Sequence, residues 1–373
     1  MKYYLLYLCI VVVTGAFSSS FATPIGLPPV PVPENNPQTP EKIKLGDKLF
    51  HDTRFSSTGK VSCSTCHDDK KAFTDQLKVS EGINKLKGTR NAPTVINAAY
   101  FHTQFWDGRE PSLEEQSAQP FLNPVEMGLP NHDLLLKIVR SDPQYVKAFK
   151  TVFGKRGEEI TMEEVKMAIA SFERTIIAGD SPFDRYLYGG DKTAMTPAQI
   201  RGLELFVGQG RCVSCHRIEQ TQALFTDNRF HNLGVGFKRI RDQVNVVAQE
   251  FLKSKQAGVD VDIAVLTQQN VSELGRFAIT ESPTEVGAFK TSTLRNIAVT
   301  APYMHDGSLK TLEDVVDFYN NGGRIKDTDP VDDFQSGGIR PLNLTKEQKA
   351  DLVAFLHALT SPEYEPLAKS MQE

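Results

Sequence analysis

Apolar positions recur at helical spacing in several stretches of this chain. Val165, Ile169, Phe172 and Ile176 form one set, and Leu352, Phe355, Leu356 and Leu359 another. Recurrence at three and four residues marks one face of an amphipathic helix. A capping box opens each set, Thr161 with Glu164 and Thr345 with Gln348. There the Thr side chain accepts from the first turn's backbone while the Glu or Gln reaches back to the N-cap N–H. Thr311 with Asp314 opens a third helix, whose face carries Leu312, Val315, Val316 and Tyr319 and which stops at Gly322-Gly323. Thr196-Pro197 reads as an N-cap and first helical residue after a Gly189-Gly190 break. Strand signals are sparse, limited to short runs such as Val244 to Val247. The pattern predicts a mainly α fold with long loops.

The N-terminal stretch follows a different pattern. Lys2 precedes an apolar run from Tyr3 to Val13, and Ser18 to Ala22 is small and polar with a Ser-Phe-Ala cleavage site. These are the three regions of a secretory signal peptide, assigned to residues 1–22. The run falls well short of the roughly 20 residues that span a bilayer, so the expected product is an exported, periplasmic protein without a stable membrane anchor. Residues 23–40 carry Pro24, Pro28, Pro29, Pro31, Pro33, Pro37 and Pro40. Such a segment is expected to be an extended arm outside the packed core.

Beyond the arm one order of motifs occurs twice. Gly46-x-x-Leu49-Phe50 precedes Cys63-Ser-Thr-Cys66-His67, and Gly202-x-x-Leu205-Phe206 precedes Cys212-Val-Ser-Cys215-His216. The repeat predicts two domains, 41–190 and 191–373, with the boundary at the glycine break. A length of 373 residues suits two domains. Lys+Arg 42 against Asp+Glu 46 leaves a formal charge of -4, without the basic footprint of a nucleic-acid binder. Of the five cysteines, Cys9 leaves with the leader and the other four form two close pairs. That arrangement argues against a simple disulfide framework.

Cys-x-x-Cys-His is the pattern of c-type haem attachment: two thiols add to the haem vinyl groups and the adjacent His reaches the iron from one face. Zinc uses the same residue types, but a shared zinc leaves the second His of the repeat without a purpose. A redox dithiol accounts for one pair and not for two pairs each followed by His. Two covalent haem c groups are therefore expected. Their second axial positions decide their use, since a haem with two strong protein ligands passes electrons and an open one binds peroxide or oxygen.

From roughly Glu41 to Thr360 the chain resembles the bacterial di-haem cytochrome c peroxidase and MauG family. The likeness rests on the two haem motifs, on Asn91-Ala-Pro-Thr-Val-Ile-Asn97, on Phe105-Trp106-Asp107-Gly108-Arg109, on Gln116 and on Pro124-Val-Glu126-Met127. It continues through Leu294-Arg295-Asn296 and Thr300-Ala-Pro302-Tyr303-Met304-His305-Asp306-Gly307. The resemblance implies two cytochrome c-like haem domains packed together, the first peroxidatic and the second for electron transfer. His67 and His216 would be the proximal ligands. Many peroxidase members carry a blocking His sixteen residues after the first haem-binding His; here that place holds Ile83 between Gly82 and Asn84. The departure favours an open iron, as in MauG-type members, with His102 and His132 as weaker candidate ligands.

The resemblance also assigns the second haem's sixth ligand to Tyr319, with Met304 as its rival. A phenolate would favour higher oxidation states by adding negative charge to the metal; read from periodicity alone, Tyr319 is equally a core residue. Trp106, the only tryptophan, would carry electrons or holes between the haems. Glu126 would be the distal acid–base, Gln116 its polar neighbour and Pro120 a pocket wall. Asn91, with the carbonyls of Thr300 and Pro302, would hold one calcium ion, an oxygen-only set that suits this cation. Arg295 is expected to pair with a haem propionate or to make a surface ion pair. His231, His357 and Met127 are expected to be structural.

The expected protein splits hydrogen peroxide at the haem on His67 and shares oxidising equivalents with the haem on His216, oxidising a bound protein or another donor. The alternative is ordinary peroxide reduction with electrons from a cytochrome c or cupredoxin. A non-enzymatic electron carrier would need both irons saturated by protein ligands, which Ile83 does not supply.

Overall fold

A computed structural model describes residues 23–324 and 334–371; the leader expected at 1–22 lies outside them. The helices that position the site are, in chain order, Pro40–Phe50 (α1), Leu113–Leu122 (α2), Met162–Glu173 (α3), Pro197–Val207 (α4), Val244–Gln256 (α5), Val261–Thr267 (α6), Leu312–Asn320 (α7) and Lys346–His357 (α8). The one regular sheet among the described residues is an antiparallel pair, Phe230–His231 (β1) with Phe289–Lys290 (β2). The chain is thus mainly α-helical.

In each half two helices cross at the glycine of the repeated motif. α1 meets α3 at Gly46, where a side-chain carbon would overlap the carbonyl of Ala168; α4 meets α8 at Gly202, where it would overlap that of Asp351. Glycine permits this backbone approach, so each crossing brings its Leu-Phe pair inward. Phe50 and Leu49 enter a first core with Val165 and Ile169. Phe206 enters a second with Phe183, Phe225 and Phe355. The boxes at Thr161, Thr196, Thr311 and Thr345 are all formed. The second core already includes Phe183, ahead of the glycine break, and Ala368 near the C-terminus returns to the first.

Two expectations are corrected. Val244 to Val247 opens α5 and is no strand: Val247 and Phe251, four residues apart, face a third apolar cluster while Val246 is exposed. That cluster, Phe237 to Val286, follows the second haem motif in the chain and packs against Val125. The proline-rich arm is also part of the packed structure. Leu27 and Asn36 are buried, and Asn36 Nδ2 donates to Glu114 and to the Met167 carbonyl. Ala223 N donates to the Gly26 carbonyl and Tyr100 Oη to that of Pro28. Proline removes donors along the arm, yet its carbonyls and the Asn36 side chain still bind both halves. Among the described residues no helix is long and apolar enough to cross a membrane.

Candidate active site

Both haem motifs end in the same local device. Cys63–Cys66 is one helical turn closed by Ser62 and Thr65, and the His67 N–H donates to the Cys63 carbonyl at 2.9 Å. His67 Nδ1 donates to the Phe73 carbonyl at 3.2 Å; His216 Nδ1 donates to that of Phe225 at 2.9 Å. Phe73 and Phe225 reach these positions with positive φ, 55° and 52°. The sequence signal is a second repeat, Phe73-Thr74-Asp75 and Phe225-Thr226-Asp227. A carbonyl on Nδ1 fixes the ring and leaves Nε2 free for a metal, and burial holds both imidazoles neutral. All four motif cysteines are unpaired thiols. This donor set fits one haem c at each motif. His231, beside Cys215, braces Asp227 at 2.8 Å.

A cleft of about 930 Å³, counted out to its open mouth, runs from His67 and Cys66 to Trp106, Gln116, Pro120 and Glu126. α2 supplies Gln116 and Pro120, and a tight turn after α2 supplies Glu126. Asn123 builds that turn: its carbonyl accepts from the N–H groups of Glu126 and Gly128, and its Oδ1 from Val125 N. Burial, followed by the charge of Asp262, pushes the Glu126 carboxyl up to about 8 against the opposing Arg109. Arg109 is held by Asp107 and Asp262, which leaves Glu126 as a neutral acid facing the cleft. Glu173 also lines the cleft, its Oε2 without a partner, and burial pushes it up to about 8. Its signal was available: it falls four residues after Ile169, on the apolar face of α3.

Ile83 is buried in the first core, and its N–H donates to the Glu126 carbonyl at 2.8 Å. His102 and His132 do not line the cleft; His132 Nε2 lies 3.3 Å from the Ala118 carbonyl. No second His, Met or Lys faces His67 across the cleft among the described residues.

Trp106 stands where the halves meet. Its Nε1–H donates to the Asn91 carbonyl at 2.9 Å, and its ring lies 6.5 Å from that of His305. These two loops repeat each other at a constant separation in sequence. Phe105 and Met304 have φ of 65° and 72°, Gly108 and Gly307 of 67° and 59°. The loops are closed by matching bridges, Gln104 with Glu110 and Tyr303 with Leu309. Trp106 and His305 are therefore counterparts across a pseudo-twofold relation. His305 stacks on Phe289 at 3.6 Å and bonds Glu273 at 3.0 Å. Asn91 N donates to the His305 carbonyl at 2.8 Å, beside the loop that carries Thr300 and Pro302.

Comparison with known proteins identifies this architecture. Residues 40–192 match the family model of di-haem cytochrome c peroxidase. Cytochrome-c peroxidase IdrP1 of Pseudomonas sp. (strain SCT) is 37% identical over 343 residues, covering 90% of this chain and 85% of that protein. The chain belongs to the di-haem cytochrome c peroxidase family. It is also similar to the methylamine utilization protein MauG of Methylorubrum extorquens, 35% identical with 92% of this chain and 84% of that protein covered. The crystal structure of a MauG-like protein associated with microbial copper homeostasis superposes with a TM-score of 0.74 at 34% identity, covering 93% of this chain and 96% of that one. Membership makes the protein a di-haem oxidoreductase with two haem c groups.

In this family member Arg295 departs from expectation. It is 2% exposed, so it makes no surface ion pair. Its Nη1 and Nη2 hold Asp184 at 2.8 and 2.9 Å, Nη2 also donates to the Gly26 carbonyl, and Nε to that of Ala223. These bonds pin the arm to the second half. Tyr319 lies on α7 facing the second motif: burial pushes its phenol up, reinforced by the charges of Cys212 and Cys215.

Proposed function

We propose that this di-haem peroxidase reacts with hydrogen peroxide in the cleft at His67 and passes oxidising equivalents to the second haem through Trp106. A haem held by Cys63, Cys66 and His67 would supply a redox-active iron and the electrons for O–O cleavage. The chain supplies the proton path. Glu126, held protonated, gives its proton to the far oxygen and takes the near-oxygen proton in exchange, so that water leaves; Gln116 orients the peroxide, and Pro120 restricts the space beside it. The observation that carries this reading is the cleft wall: a buried acid at Glu126 and, among the described residues, no second His, Met or Lys opposite His67. Tyr319 as the second haem's ligand is supported by its place beside Cys212 and Cys215. A calcium ion on Asn91, Thr300 and Pro302 is supported by the contact between their loops.

With Ile83 fixed in the core and Tyr319 beside the second motif, the reading favours MauG-like oxidation of a protein or other donor. Relatives named cytochrome-c peroxidase favour the second reading, peroxide reduction with electrons from a cytochrome c or cupredoxin. Export to the periplasm rests on the leader sequence. Electron paramagnetic resonance of the ferric protein, repeated after adding peroxide, tests the proposal. A high-spin signal beside a low-spin one is expected; two low-spin centres at rest would refute the open iron. Turnover with reduced cytochrome c then separates the two readings.

A further inference from the structure

The relation between the Trp106 and His305 loops extends to their neighbours. Asn91 N donates to the His305 carbonyl at 2.8 Å; at the matching place in the other half, Lys290 N donates to the Trp106 carbonyl at 2.7 Å. Asn91 and Lys290 are thus counterparts, and so are Pro302 and Thr103. Pro302 offers a carbonyl to the cation proposed on Asn91, while the Thr103 carbonyl accepts from Lys290 Nζ at 2.8 Å. The same ammonium stands 4.1 Å from the centre of the Phe101 ring, a contact that favours a cation. Lys290 is buried at 9% exposure and among the described residues pairs with no carboxylate; Asp107 acts on it only through its charge. A buried charge is costly unless it is paired or hydrogen-bonded, and here a carbonyl and an aromatic face stand in for a carboxylate.

We propose that Lys290 is a positioning residue whose ammonium is a built-in cation for the Trp106 loop, at the place matching the cation site of Asn91, Thr300 and Pro302. Side chain and backbone of this one residue hold the loop at Thr103 and at Trp106, as the metal ion and Asn91 would hold the His305 loop. One half of the molecule thus carries its cation covalently and the other recruits it. The comparison with Asn91 rests on the calcium reading above; the hold on Trp106 does not.

Trp106 is the single tryptophan, so its ultraviolet resonance Raman bands report this loop alone in the di-haem protein. Burial pushes the Lys290 amine down to about 7, with Asp107 opposing, so spectra are recorded at mildly acid pH. Unchanged haem absorption and low-spin signals establish that each variant is folded. Lys290→Met is expected to shift the Trp106 bands and slow electron transfer between the haems, with or without calcium. Lys290→Asn is expected to shift the bands in chelator and to regain the native spectrum in calcium, binding one calcium more than the native protein by metal analysis. Native Trp106 bands in Lys290→Met would overturn the proposal, and so would the absence of an additional calcium in Lys290→Asn when the native protein binds one. A native protein that binds no calcium would refute the Asn91 reading, and the Lys290→Met spectra would then decide the role of Lys290.

Discussion

Replacing Glu126 by Gln should move activity and stability in opposite directions. The side chain keeps its size and loses its ionisation. In the folded chain the carboxyl is held up to about 8 by burial and by Asp262, whereas an unfolded chain releases that proton near its ordinary value of about 4.3. Between those values the folded state binds more protons than the unfolded one, so stability falls as pH rises, by up to about 1.4 kcal/mol per pH unit. Above about 8 the whole penalty is present, several kcal/mol at its upper bound. Glu126→Gln removes it. Urea unfolding of both proteins should therefore agree near pH 4 and diverge toward pH 9, with the variant more stable. Peroxide reactivity should fall by about 10²–10⁴, the range for a positioned acid–base group, and lose its dependence on pH through the Glu126 range. A stability difference equal at both pH values would refute the neutral buried acid, and wild-type peroxide reactivity would refute its catalytic role.

Further substitutions test the frame around the cleft. Tyr319→Phe should alter the low-spin resonance of the second haem and leave the first unchanged; an unaltered spectrum returns Tyr319 to packing. Gly202→Ala should destabilise by about 1–3 kcal/mol through overlap with Asp351, although alanine favours helix by about 1 kcal/mol at an exposed site; thermal melts give the sign. Arg295→Met should cost about 3–5 kcal/mol by leaving Asp184 buried and unpaired, and restoring that loss with Asp184→Leu would show the pair, and not a haem contact, to be the function of Arg295.

The parts of this molecule that were legible in sequence are those set by local rules. The capping boxes at Thr161 and Thr345, the helical stripe through Tyr319 and the two haem motifs depend on neighbours within a few residues. The Val244 to Val247 run misled because β-branched residues fit a helix when tertiary packing gives one side a partner, here Phe251 and its cluster. The arm misled because proline content speaks of backbone conformation and says nothing of what the carbonyls reach. Arg295 finds Asp184 only through the fold, and no spacing announces it. Glu173 and the Phe-Thr-Asp repeat were readable and unread; the match of Trp106 with His305 was hidden because the repeated feature is backbone shape, with different side chains mounted on it.

The arm precedes both haem motifs in the chain, yet Ile25 bonds Asp180, 155 residues on, and Gly26 bonds Arg295, 269 residues on. Contacts that distant in sequence carry a large loop-closure cost. The arm thus works as a clasp between distant parts of the chain: without it Arg295, already paired with Asp184, lacks the Gly26 carbonyl.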